Sequence, residues 1–101
     1  MRTVVVAASA EAELSAAARW CEARGPGLGM RWLGNAHEAL SRIAESPEAF
    51  PVWSPQSAYR KCPIRGFPYQ VFFDATEEPI VVLAFAHARR RPGYWLRRPV
   101  R

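Results

Sequence analysis

The residues best suited to chemistry lie in the C-terminal half of this 101-residue chain. Arg60, Lys61 and Arg65 form one group, and His87, Arg89, Arg90 and Arg91, followed by Tyr94 and Trp95, form another. Guanidinium forks match phosphate and carboxylate geometry, and aromatic rings can stack on bases. Such a set could cleave an RNA phosphodiester without a metal. One group would take the 2′-OH proton, an arginine would steady the charged phosphorane, and His or Tyr would protonate the leaving oxygen. The same residues also allow a plainer reading, with Tyr94 and Trp95 packing the tail down and the arginines keeping the surface soluble.

The charge distribution favours a partner over a merely soluble surface. Residues 1–59 carry five Arg against six Glu, a net −1, while residues 60–101 carry nine basic residues against three acidic ones, a net +6. Asymmetry of this kind suggests an anionic partner for the basic half. Other chemistries lack their residues. "GPGLG" (25–29) has no lysine and no preceding strand, so it reads as a turn and not a phosphate loop. Cys21 and Cys62 have no metal-ligand spacing and read as buried free thiols. His37 reads as a surface histidine. No metal or cofactor is expected.

The elements that must position the basic groups follow from local pattern. "RTVVVA" (2–7) is a short β-branched strand, read as that in preference to a signal peptide because Glu11 and Glu13 follow at once. With no long apolar run, a cytoplasmic protein that does not span a membrane is expected. Ser9 is the expected N-cap of a helix to Arg24, with Leu14, Ala17, Ala18 and Cys21 as its apolar face and Glu11 and Glu13 near its positive end. Gly25, in the left-handed position, and Pro26 end it. A second helix runs from Gly27 or Leu28 to Glu45, with Leu33, Ala36, Leu40 and Ile43 as its stripe and Trp32 and Ala44 at the margins.

A Pro-rich connector (46–57) follows, anchored by Phe50 and Trp53. Three strands come next: 58–66, edge-placed because Pro63 cannot donate to a ladder; 69–75; and 80–88, apolar enough for the middle of a covered sheet. The expected fold is a single α+β domain: an N-terminal strand, an αα-hairpin, then a three-strand antiparallel meander, with the helices packed on one face of the sheet. Pro92-Gly93 should turn Tyr94 and Trp95 back toward the body, and 96–101 is expected to be a flexible basic tail.

In this order, "SAEAELSAAARWCEARGPGLGMRWL" (9–33), "ALSRIAESPEAFP" (39–51), "YRKCPIRGFPYQVFF" (59–73) and "IVVLAFAHARRRPGYW" (80–95) resemble the RelE/ParE superfamily of type II toxin–antitoxin toxins. The ParE-like, plasmid-stabilisation branch is the nearer one. The resemblance implies a growth-inhibiting toxin neutralised by a cognate antitoxin. Studied ParE-like members poison DNA gyrase, whereas RelE-like members cleave mRNA on the ribosome. Ribosome-dependent members tend to carry an arginine after the tyrosine of the third strand, and this chain has Gln70 there.

The favoured expectation is therefore a toxin binding a protein target such as gyrase through Arg60, Lys61, Arg89, Arg90, Arg91, Tyr94 and Trp95. The alternatives are a ribonuclease using Arg65, His87, Arg89 and Tyr94, or a diverged member without toxicity. Trp20 and Trp32 are candidate antitoxin anchors, as large aromatics that a small monomer need not display. The plainer reading, that both indoles cap the helix–sheet core, is slightly favoured.

Overall fold

The computed structural model describes residues 1–91 and 93–98; the expectations for Pro92 and for 99–101 lie outside the described residues. The order is β1 (Val4–Val6), α1 (Ala8–Arg24), α2 (Leu28–Glu45), a 3-10 turn (Pro47–Ala49), β2 (Arg60–Pro63), β3 (Tyr69–Asp74), β4 (Ile80–His87) and a second 3-10 turn (Tyr94–Arg97). The sheet runs β1-β4-β3-β2, with β1 parallel to β4 and the other two pairings antiparallel. The apolar run of β4 is thus central, and Pro63 lies on the edge strand, where its missing N–H costs no ladder bond.

The two faces of the sheet are covered differently. On one, Trp32, Ala36, Ala39 and Ile43 of α2 and Ala17 and Cys21 of α1 pack against Val71, Phe73, Val82 and Phe85. On the other, Phe72, Val81, Leu83, Ala84 and Ala86 pack under Trp95, with Trp53, Tyr59 and Tyr94 around them. Among the described residues, no α-helix covers this second face. The connector and the C-terminal turn do so, through aromatic rings with centroids 4.9–5.5 Å from that of Trp95. The segment 96–98 is accordingly not a free tail: Arg98 reaches Glu13 on α1.

Three local expectations change. Helix α1 starts at Ala8, with Ala7 at the N-cap and no side-chain cap, so Ser9 lies inside the first turn. The Ala7 N–H still donates to Val82 O, and the strand passes straight into the helix. Gly25 is extended (φ −175°), and the left-handed residue is Gly27 (φ 87°), the N-cap of α2. Finally, α2 is rotated about one residue from its expected stripe. Trp32 is 0% exposed at its centre and Leu33 faces outward. Small residues at 36 and 39 leave room for the indole, whose Nε1–H donates to Leu14 O at 2.9 Å.

The hairpin is locked by Glu22, which accepts the N–H groups of Gly29 (2.9 Å) and Gly27 (3.1 Å). These bonds, Gly29 first, hold its carboxyl below the usual carboxylate range. The helices approach so closely that a Cβ on Gly29 would lie 2.9 Å from Ala18 O. Gly29→Ala is expected to destabilise the fold by about 1–3 kcal/mol despite its better helix propensity, because the obstacle is backbone. Thermal unfolding of the variant measures this.

Candidate functional site

The basic residues of the C-terminal half divide by what they touch. Arg60 donates to Phe50 O at 2.6 Å, fastening the connector to the edge strand. Arg65 pairs with Glu38 of α2 at 3.4 Å, and Arg98 pairs with Glu13 at 2.6 Å. Lys61, Arg89, Arg90 and Arg91 have no acidic partner within 4.0 Å among the described residues. Arg90 instead lies 3.7 Å above the ring of Tyr94. These four cations lie around the C-terminal end of β4.

That end is shaped by a tight turn. The Arg90 N–H donates to His87 O, and the Arg89 N–H donates to His87 Nδ1 at 3.0 Å. This bond leaves the ring proton on Nε2 when the imidazole is neutral. Gly93 then reverses the chain at φ 79°, and a Cβ there would meet Trp53 at 3.1 Å. The 3-10 turn that follows carries Trp95 onto the sheet, at 3% exposure.

Glu13 anchors this arrangement. Strand β1 stops at Val6, opposite Val82, so β4 continues with no partner strand on that side. Glu13 Oε1 accepts the Phe85 N–H at 3.0 Å, and Arg98 donates to Leu83 O at 3.4 Å. The Glu13–Arg98 pair thus closes a bare strand edge. Glu13 Oε2 also accepts the Tyr94 hydroxyl. Burial first, then this bond to a carboxylate, push the Tyr94 phenol up to about 12.

The neutral phenol is therefore favoured by folding. Its contribution to stability is complete below the ordinary tyrosine value near pH ~10 and is lost as the pH climbs through about 12. In an alkaline absorbance titration of the three tyrosines, one should ionise near 12. Tyr94→Phe should remove that step.

Two recesses flank Arg90 and Tyr94, which line both along with His87. On the helix side is an open groove of about 410 Å³ walled by Glu13, Trp20, Tyr69 and Phe85. On the other side is a smaller recess of about 170 Å³, with Lys61, Gln70 and Arg91 on its walls and Trp53, Phe72 and Trp95 as its aromatic lining.

Residues 4–92 match the family described as "ParE toxin of type II toxin-antitoxin system, parDE". The chain belongs to this ParE toxin family. Its fold is also similar to a chain of the chromosomal ParDE TA system from P. aeruginosa, with a TM-score of 0.75 at 16% identity over 86% of this chain and 96% of that one. No curated protein matches it. Among the described residues of this ParE-family chain, no helix is long and apolar enough to cross a membrane, and no cluster of three His, Cys, Asp or Glu could hold a metal ion.

Set on the ParE-type fold, the residues singled out in the sequence separate. Lys61, His87, Arg90, Arg91, Tyr94 and Trp95 meet around the smaller recess, with Arg89 exposed beside it. Arg60 and Arg65 are drawn away, toward the connector and α2. Trp95 is a core residue, so it shapes the surface from beneath. Trp32 is likewise buried, so it is not displayed as an antitoxin anchor; its indole fills the helix–sheet core. Trp20 is 54% exposed, with Arg24 stacked 3.8 Å over its ring. Sequence reasoning missed the part played by Glu13, whose partners lie 72 to 85 residues away. Only its position near the start of α1 was visible, and there it read as a dipole partner.

Proposed function

We propose that this ParE-family protein is a toxin that inhibits growth by binding a protein target such as DNA gyrase, and that a cognate antitoxin neutralises it. The observation that carries this reading is the group of unpaired cations, Lys61, Arg89, Arg90 and Arg91, at one end of the sheet. Two of the groups that acid–base cleavage would use are already engaged. Tyr94 donates to Glu13 and ionises only near 12, about five units from the pH at which an acid catalyst works best. Arg65 is paired with Glu38. A fixed, unpaired basic surface suits docking to an acidic protein patch. Gyrase is the target that the resemblance to ParE-like toxins implies.

For the antitoxin, the helix hairpin offers Trp20, Met30 and Leu33, which are exposed apolar residues. Brief induction in a bacterial host tests the target. DNA breakage with an SOS response and intact transcripts is the expected result. Transcripts cut on the ribosome would overturn it in favour of the ribonuclease.

A further inference from the structure

We propose that the smaller recess seats one carboxylate side chain of the target protein, which would make a buried acidic residue the centre of recognition. This rests on the protein-target reading above. The recess is lined by Lys61, Arg90 and Arg91 and by no acidic residue. These cations have no carboxylate partner within 4.0 Å among the described residues, so an incoming acid displaces no existing pair.

Gln70 and Trp95 complete the lining. Gln70 contributes a half-buried amide from β3. Trp95 contributes an indole whose Nε1–H is buried with no acceptor. The lining is held in place by ring contacts, Phe72 to Trp95 at 4.9 Å and Trp53 to Trp95 at 5.5 Å, so the seat is preorganised.

Size and shape favour a carboxylate over nucleic acid. At about 170 Å³ the recess is smaller than the ~300–1,000 Å³ of typical small-molecule pockets, and it suits one side chain better than a nucleotide. A polynucleotide would be followed by an open basic track with bases stacked on exposed rings. Here the rings line a small recess, and Phe72 and Trp95 among them are buried and not exposed for stacking.

The test uses the 15N-labelled full chain and its Trp95 indole resonance, one of four indole signals. The probes are acetyl-Leu-Glu-Leu-amide, its Gln counterpart, inorganic phosphate and a uridine trinucleotide. Saturable movement of the Trp95 signal by the Glu peptide is expected, at least tenfold weaker with the Gln peptide and lost in Lys61→Met. Equal response to both peptides, no response to the Glu peptide, or a stronger response to phosphate or the trinucleotide overturns the proposal. Gln70→Leu repeats the test at a second wall, with the Trp32 signal reporting that the fold is intact. In cells, both variants are expected to lose growth inhibition. Inhibition that survives in both, still with DNA breakage, overturns the carboxylate seat while the protein-target reading stands. Cut transcripts in the parent chain overturn that reading itself.

Discussion

Alanine at both Arg89 and Arg91 is expected to abolish growth inhibition while leaving the fold and antitoxin binding intact. Both side chains are exposed and lack acidic partners, so their removal should change stability by no more than about 0.5 kcal/mol each. The turn they leave behind persists, because the bond to His87 Nδ1 comes from the Arg89 backbone N–H. At an interface the balance differs. An arginine at the centre of a protein contact contributes about 2 kcal/mol when truncated, and two together make roughly a thousandfold loss of target affinity. Growth after induction, unfolding temperature and antitoxin co-purification read the three parts separately. If toxicity persists, the basic stretch reverts to a solubilising surface.

The elements were legible where one residue type settles the conformation locally. Four β-branched or apolar residues opening the run at Ile80 made β4 a central strand, and Pro63 placed β2 at the edge. The helix pair was visible from periodicity and the glycine-proline break. The rotation of α2 was not, because Trp32 and Leu33 are neighbours of similar hydropathy. What decides between them is the space left by Ala36 and Ala39 and an acceptor at Leu14, which only packing reveals. The left-handed residue fell at Gly27 and not Gly25 because Gly25 precedes Pro26, which holds it in extended backbone and leaves the reversal into α2 to Gly27. For the site, composition brought out the cations but could not separate paired from unpaired ones. Arg60 and Lys61 are adjacent in sequence, yet one fastens the connector and the other borders the recess.

Glu13→Ala should be the most damaging single substitution of a polar residue at this site. It removes the acceptor for the Phe85 N–H, the Tyr94 hydroxyl and the Arg98 guanidinium at once. The pair is mostly but not fully buried, with side-chain exposures of 22% for Arg98 and 16% for Glu13. A loss of about 2–3 kcal/mol is therefore expected, below the cost of stranding a fully buried charge. For a domain of about 100 residues, that corresponds to roughly 10–20 °C in Tm. Tyr94→Phe removes one hydrogen bond and should cost only about 1 kcal/mol. The two variants should also part in function. Phenylalanine keeps a ring for Arg90 to stack on, so Tyr94→Phe should remain toxic. Glu13→Ala frees the C-terminal turn and with it the ring that positions Arg90, so toxicity should fall even at temperatures where the variant stays folded. Equal toxicity in the two folded variants would show that the clasp stabilises the fold without shaping the basic surface.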